Sequence, residues 1–196
     1  MDRSTLRPAA FLDRDGVINR ERGYVHRPAD FELLPGVTEG MARLRAAGYL
    51  LVVVTNQAGI ARGLYDAAAF EQLTQYMRDL LQAAGVTVDA VYHCPHHPTA
   101  GVGAYRVECV CRKPAPGMLL AAAQQLGIDL PASVLVGDKS SDIEAGRRAG
   151  VSRCVLVTSG HATEEADRAV ADVCVPGLSE AVDWILRPTP AEQHSR

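Results

Sequence analysis

The chain lacks a long hydrophobic run and any surplus of positive charge. None of its 196 residues lies in a stretch approaching the ~18 apolar residues of a membrane span, and the first eight are charged without an apolar core. The formal net charge of -3 gives no basic field for a polyanion. We therefore expect a cytoplasmic protein that does not act in a membrane or on nucleic acid.

The chain also lacks the even set of cysteines that a disulfide framework requires. It has five, and three of them lie between Cys94 and Cys111, which favours metal binding in a reducing compartment. Cys154 and Cys174 lie in apolar, strand-like runs, so we expect them to be small core residues. The cysteine pattern thus indicates one candidate metal segment.

Short apolar runs alternate with stretches of helical period. Rich in Val, Leu and Ala, the runs are typical of strands buried on both faces, and they predict strands at 9–13, 50–54, 88–93, 133–137, 153–157 and 173–175. Helices are predicted from an N-cap at Asp66 to a stop at Gly85, and over 38–47, 116–126, 141–149 and 179–186. This alternation predicts an α/β fold with a doubly wound, mostly parallel sheet. The length predicts a single domain, 1–196, with a frayed tail at about 187–196.

Two carboxylates follow the first predicted strand, in Asp13-Arg14-Asp15-Gly16. Ligands of open α/β sheets bind beyond the carboxyl ends of the strands, and side chains at i and i+2 point the same way, so Asp13 and Asp15 can serve one site. The pair would repel itself unless a divalent cation lies between its members or one is kept as an acid. The alternative is two solvated turn aspartates.

Three further segments can supply phosphate or cation ligands. Thr55-Asn56-Gln57-Ala58 follows the second strand with a hydroxyl, two amides and loop N–H groups that suit an anion. Asp138 and Asp142 follow the fourth strand, and Arg112-Lys113 offers two cations for phosphate oxygens. Each alone has an ordinary explanation: a turn, a helix cap, a solvated surface pair. Together they supply what Mg²⁺-assisted phosphoryl transfer requires.

These segments resemble, in order and spacing, the four motifs of the haloacid dehalogenase (HAD) superfamily of phosphatases, over roughly residues 9–186. The resemblance implies that Asp13 is a nucleophile forming an aspartyl-phosphate. It implies that Asp15 protonates the leaving alcohol and then activates water. This division fits the chemistry, because Asp13 must be ionised to attack whereas Asp15 must alternate between acid and base.

The same resemblance implies the ligands of the catalytic metal and of the phosphoryl group. Mg²⁺ would be held by the Asp13 carboxylate, the Asp15 backbone carbonyl and Asp138, with Asp142 either a ligand or one step removed from the ion. Thr55 and the Asn56 N–H would bind the phosphoryl group. Lys113 would bridge that group to Asp13.

A second metal site is predicted in the cysteine-rich segment. Cys94, His96, Cys109 and Cys111 supply three thiolates and an imidazole, the closed ligand set of structural Zn²⁺. His93 or His97 could replace His96, and unligated surface thiols are the alternative to a metal site. The loop between these ligands has few apolar residues and cannot build a core, so we expect zinc to staple it. It would thereby also fix Arg112 and Lys113, which makes the zinc structural but indirectly catalytic.

This zinc loop, about 94–111, resembles that of superfamily members acting on heptose bisphosphates and of the closely related histidinol-phosphate phosphatases, and the resemblance favours His96. The segments 21–26 and 31–37 resemble the heptose enzymes, although an ordinary loop before a helix is the alternative. The resemblance implies hydrolysis of the 7-phosphate of D-glycero-D-manno-heptose 1,7-bisphosphate, a step toward nucleotide-activated heptose for lipopolysaccharide. Histidinol phosphate is the alternative substrate. The implied substrate contacts are Glu21, Arg22, Gly23, Tyr24, Thr55, Asn56, Gln57, Ala58, Arg112, Lys113 and Lys139.

The spacing of the motifs limits the size of the substrate. The stretch between Asp15 and Asn56 is too short for a large cap domain, so short loops must close the site. A small sugar phosphate fits this, and a phosphorylated DNA end would fit by shape, although the net charge argues against it. The alternative to an enzyme is a non-enzymatic module that binds metal and phosphate. Such a module would not need Asp15, so the presence of Asp15 favours an enzyme. With no apolar stripe beyond the core helices, we expect a monomer.

Overall fold

The computed structural model describes residues 6–161 and 164–187. In this part of the chain six strands form one sheet in the order β3-β2-β1-β4-β5-β6, with every neighbouring pair parallel. The strands are β1 (Ala9–Leu12), β2 (Leu50–Asn56), β3 (Ala90–Cys94), β4 (Val134–Gly137), β5 (Arg153–Val157) and β6 (Val173–Val175). The predicted α/β class with a doubly wound parallel sheet is confirmed.

Helices cover both faces of this sheet. They are α1 (Val37–Ala46), α2 (Ala58–Ala61), α3 (Ala67–Ala83), α4 (Gly117–Leu126), α5 (Ser140–Ala149), α6 (Glu165–Ala169) and α7 (Leu178–Ile185). One core layer packs α1, α3 and α7 onto Ala10 and Leu12, and the other packs α4 and α5 onto Ala9 and Phe11. Alternate residues of a strand face opposite layers, which is why the central strands are apolar throughout.

The strand order positions the site. The chain runs outward from β1 to β3, returns to place β4 beside β1, and continues outward to β6. The order therefore reverses between β1 and β4, and ligands of doubly wound sheets bind at such a switch point. Asp13 directly follows β1 and Asp138 directly follows β4, so the topology brings these distant residues to one crevice.

Most predicted boundaries agree with the structure to within two residues, and Asp66 caps α3 by accepting a hydrogen bond from Ala69 N at 2.8 Å. The short helices α2 and α6 were not predicted.

Residues 16–49 contain a 3-10 turn at Pro28–Asp30 and α1, with no cap domain. Cys154 is buried in the core as predicted, and Cys174 packs against it. The predicted tail lies beyond residue 187, outside the described residues. No helix in the described ranges is both long and apolar enough to cross a membrane.

Candidate active site

A cavity of about 610 Å³ opens at the carboxyl ends of β1, β2 and β4. Most of the predicted site residues line it: Asp13, Asp15, Glu21, Gly23, Tyr24, Thr55, Asn56, Gln57, Ala58, Arg112, Lys113, Lys139 and Asp142. Arg22 does not, because its guanidinium pairs with Glu32 on the surface. The four sequence motifs and most of the segment 21–24 thus converge on one cavity.

Lys113 is the buried cation of this site. Its Nζ lies 2.9 Å from Asp13 Oδ1 and 2.7 Å from Asp142 Oδ1, and it donates to the Val54 carbonyl at 2.8 Å. Burial alone would lower the pKa of Lys113, but the two carboxylates raise it above its usual value. Lys113 therefore stays charged. Its burial excludes the solvated surface position considered for it.

Three buried carboxylates surround a point next to Lys113. Oxygen atoms of Asp13, Asp138 and Asp142 all lie within 4.8 Å of one another. Burial, with the neighbouring carboxylates, raises the pKa of Asp138 to about 9. Burial raises the pKa of Asp13 to about 6 against the lowering effect of Lys113. One lysine does not balance this much buried negative charge, and a divalent cation would.

Asp138 has the buried oxygen that best suits such a cation. Its Oδ1 is buried and has no hydrogen-bond partner among the described residues, while His161 Nδ1 contacts its Oδ2. Two glycines make room for the Asp138 carboxylate itself, since a Cβ on Gly16 or Gly160 would lie 2.4 or 2.0 Å from Asp138 Oδ2. Hard oxygen donors in a small space are what Mg²⁺ prefers, so these residues fit it.

Both carboxylate oxygens of Asp142 are bonded to other groups of the protein. Its Oδ1 pairs with Lys113, and its Oδ2 accepts from the backbone N–H groups of Asp138 and Lys139 at 3.2 and 3.0 Å. Both oxygens therefore have partners within the protein. Whether Asp142 is a metal ligand or lies one step removed from the ion stays open, as in the prediction. Asp138 is not the helix cap that was the alternative for it, since Lys139 is the N-cap residue of α5.

Asp15 lies at the cavity wall inside a set of donors. Arg14 Nη2 donates to its Oδ1 and Oδ2 at 3.0 and 2.8 Å, and Asn19 Nδ2 donates to Oδ1 at 3.0 Å. Gln57 Nε2 contacts both Asp15 Oδ2, at 3.2 Å, and Thr55 Oγ1, at 2.8 Å. These contacts hold the carboxyl group in one orientation and exclude a freely solvated turn aspartate.

Asn56 joins the end of β2 to the segment carrying Lys113. Its side-chain Oδ1 accepts from Lys113 N, and its Nδ2 donates to Lys113 O, both at 3.1 Å. The Asn56 amide is thus used to hold the lysine, which leaves its backbone N–H as the group considered for an anion.

The predicted metal ligands of the cysteine-rich loop form a tight cluster. Cys111 Sγ lies 3.1 Å from Cys94 Sγ and 3.2 Å from Cys109 Sγ, and His96 Nδ1 lies 3.5 Å from Cys111 Sγ. Ligands around a tetrahedral Zn²⁺ would be about 3.5–3.8 Å apart, from zinc–ligand lengths of ~2.0–2.3 Å. The cluster fits zinc after slight expansion.

Neither alternative histidine lies in this cluster. The His93 ring packs on Phe70, with centroids 4.1 Å apart, and His97 Nδ1 accepts from Ala100 N at 3.0 Å. His96 also connects the cluster to the cavity, because its carbonyl accepts from Arg112 Nη1 at 3.1 Å.

Several residues that line the cavity were not predicted: Arg62, Tyr65, His97, Ser141 and His161. Tyr65 donates to Gln57 Oε1 at 2.5 Å, and burial raises its pKa to about 12. Arg62 lies over the Tyr24 ring, 5.8 Å from its centroid. Arg62 and Tyr65 follow the Thr-Asn-Gln motif closely, so proximity to it was the available signal.

Comparison with known proteins agrees with this geometry. A family model described as HAD-hydrolase-like matches residues 110–181. The chain is 48% identical over 181 residues to the D-glycero-beta-D-manno-heptose-1,7-bisphosphate 7-phosphatase of Vibrio cholerae, covering 92% of this chain and 97% of that protein. It is 48% identical over 156 residues to the alpha-anomer 7-phosphatase of Photorhabdus laumondii, covering 80% and 85%.

A solved structure is also similar. The D,D-heptose 1,7-bisphosphate phosphatase from B. bronchiseptica, complexed with magnesium and phosphate, has a TM-score of 0.77 and 34% identity, covering 91% of this chain and 98% of that one. Fold and site together define a HAD-like phosphatase. More narrowly, the identity over nearly the whole chain shows that it belongs to the family of D-glycero-D-manno-heptose-1,7-bisphosphate 7-phosphatases.

Proposed function

We propose that this chain removes the 7-phosphate of D-glycero-D-manno-heptose 1,7-bisphosphate in the cytoplasm, as a step toward nucleotide-activated heptose for lipopolysaccharide. The observation that carries the proposal is the near full-length identity to phosphatases of this substrate. These relatives support it over histidinol phosphate. The protein is a phosphoric monoester hydrolase, and we propose that it acts as a monomer.

Asp13 and Asp138, with the Asp15 backbone carbonyl, would hold the catalytic Mg²⁺. The ion would offset the buried negative charge and stabilise the charge that develops on the phosphoryl oxygens. Support comes from the Asp138 oxygen without a donor and from the burial-raised pKa values of Asp13 and Asp138.

Asp13 would act as the nucleophile. Its carboxylate oxygen attacks phosphorus, and the bond from phosphorus to the sugar oxygen breaks. The electron pair of that bond leaves with the sugar oxygen, which takes a proton from Asp15. Asp15 then takes a proton from water as the water oxygen attacks phosphorus. This second attack breaks the aspartyl-phosphate bond, so Asp13 is restored and inorganic phosphate is released.

The remaining groups would hold the substrate. Thr55, the Asn56 N–H and Lys113 would bind the transferred phosphoryl group. Glu21, Gly23, Tyr24, Gln57, Ala58, Arg112 and Lys139 would frame the sugar and its second phosphate. Arg22 does not line the cavity and pairs with Glu32 on the surface, so its contact with the substrate stays a prediction. A cavity of about 610 Å³ closed by short loops suits a small phosphorylated sugar.

Cys94, His96, Cys109 and Cys111 would bind a structural Zn²⁺. The support is the four-ligand cluster and its link to the cavity through His96 and Arg112. Since Cys111 directly precedes Arg112 and Lys113, fixing this thiolate would fix both cations. The zinc would therefore support catalysis only by holding Arg112 and Lys113 in position.

The test is phosphate release by Mg²⁺-loaded protein from the α- and β-anomers of heptose 1,7-bisphosphate. Histidinol phosphate and a 3′-phosphorylated oligonucleotide serve as competing substrates. We expect kcat/KM for one heptose anomer to exceed that for either competitor at least about 100-fold, and the preferred anomer to identify the pathway branch. Faster hydrolysis of histidinol phosphate would keep the mechanism and overturn the substrate.

A further inference from the structure

Arg14 is a fully buried arginine between the two aspartates of the first motif. It is 1% exposed, and its Nη2 donates to both Asp15 oxygens and to the Val25 carbonyl, the last at 2.8 Å. Its Nε and Nη1 are buried with no hydrogen-bond partner in residues 6–161 and 164–187. Its guanidinium lies 6.0 Å from the centre of the Phe70 ring.

This arrangement is unfavourable for stability alone. A buried guanidinium loses its hydration, and here two of its three nitrogens recover no hydrogen bond. Replacing a buried ion pair with apolar side chains of similar size is often neutral or stabilising. The folded core therefore gives no reason for a cation at this position. The contact with Asp15 does.

The donors on Asp15 show what Arg14 adds. Asn19 bonds one carboxyl oxygen and Gln57 the other, and each of these amides also has a second partner. Arg14 Nη2 contacts both oxygens at once, so it opposes rotation of the carboxyl group about its own axis. Through Val25 it also ties that group to the loop carrying Glu21, Gly23 and Tyr24.

We propose that Arg14 is a positioning residue that holds the Asp15 carboxyl group toward the oxygen leaving phosphorus. It also fixes the position of that group relative to the loop carrying Glu21, Gly23 and Tyr24. This rests on the proposed function, in which Asp15 gives its proton to that oxygen. If Asp15 is misplaced, the first step slows strongly when the leaving oxygen is basic and must be protonated. It slows little when the leaving oxygen can depart as an anion. The effect of losing Arg14 must therefore depend on the basicity of the leaving group.

The experiment compares phenyl phosphate with 4-nitrophenyl phosphate, two aryl phosphates whose leaving groups differ in the need for a proton. The variant is Arg14→Met, which keeps bulk against Phe70, and the readout is kcat/KM, which covers only the steps through departure of the leaving group. We expect kcat/KM for phenyl phosphate to fall about 100-fold and that for 4-nitrophenyl phosphate less than tenfold. Since neither is a sugar, the outcome does not depend on the heptose assignment.

Phe70→Leu is the matched control, because it disturbs the same packing without touching Asp15. We expect it to lower the melting temperature without separating the two substrates. If Arg14→Met does not fold, Arg14→Lys serves instead, with the same leaving-group dependence expected at smaller size. Equal losses for both substrates, or no loss, would overturn the proposal and leave Arg14 a purely structural residue.

Discussion

At the scale of single residues, the site is an excess of buried negative charge held in place by few cations. Asp13, Asp138 and Asp142 face Lys113, whose ammonium is bonded to two of them. Lys113 holds the proposed nucleophile, Asp13, and one oxygen of Asp138 has no hydrogen-bond partner among the described residues. Such an arrangement is unfavourable without a bound cation, and a divalent cation would offset the negative charge.

Changing Asp13 to Asn should abolish turnover while leaving the fold intact. The amide is the same size and stays neutral, and burial already raises the pKa of Asp13. An amide cannot form the aspartyl-phosphate, so kcat for heptose bisphosphate should fall at least about 1,000-fold. Thermal unfolding of the variant checks that the fold survives. A folded variant that keeps a tenth of the activity would refute the covalent route.

Residue types, spacing and the family resemblance together predicted most of the cavity lining, and the exceptions have a physical reason. Asp13 and Asp15 were found because two carboxylates at i and i+2, directly after a buried strand, can serve one site. Tyr65 and His161 were missed because a lone tyrosine or histidine in a loop has no such pattern. Arg22 was assigned to the sugar by resemblance, but the sequence could not show that Glu32 would pair with it. Contacts between distant segments are not visible in local spacing.

At the scale of elements, short apolar runs predicted the six strands of the described residues, and helical period with its caps and stops predicted the five longer helices there. Two short helices of the described residues were not predicted. α2, Ala58–Ala61, has a single turn and no apolar stripe of its own, so the same residues were interpreted as a phosphate loop. α6, Glu165–Ala169, is polar and without a buried residue. Helices this short form by tertiary contact or capping, which hydrophobic period does not report.

The zinc loop is the element whose stability should depend on a metal. Replacing Cys109 by Ser should release zinc and destabilise the loop, because the segment has almost no core of its own. A loss of about 3 kcal/mol would lower the melting temperature by about 6–12 °C in a domain of this size. Metal content by elemental analysis and a melting curve measure the two effects together.

Cys174→Ser is the control for this change, since Cys174 lies in β6 and is not in the metal cluster. It should keep one zinc per chain and shift the melting temperature much less. A Cys109→Ser protein that is free of zinc but melts at the wild-type temperature would contradict the stapling role. So would a wild-type protein without zinc.

At the scale of the whole molecule, the sheet order explains why one site needs most of the chain. β1 and β4 are far apart in sequence and adjacent in space, and each is directly followed by a proposed Mg²⁺ ligand, Asp13 or Asp138. Lys113 reaches the same point from the segment between β3 and α4. The alternation of strands and helices predicted a doubly wound, mostly parallel sheet, whereas the strand order is seen only in the structure. That residues 1–196 form a single domain stays a prediction.

Because the proposed Mg²⁺ ligands join the two halves of the sheet, binding of the ion should stabilise the whole fold. At about 100 times its dissociation constant a ligand adds about 2.7 kcal/mol, which corresponds to a rise of about 5–11 °C in melting temperature. We expect this rise with MgCl₂ and not with NaCl of equal ionic strength. In Asp138→Asn the rise should disappear, because the buried oxygen without a partner is lost as an anionic ligand. An equal rise in that variant would show that the ion binds elsewhere and that Asp138 is not its ligand.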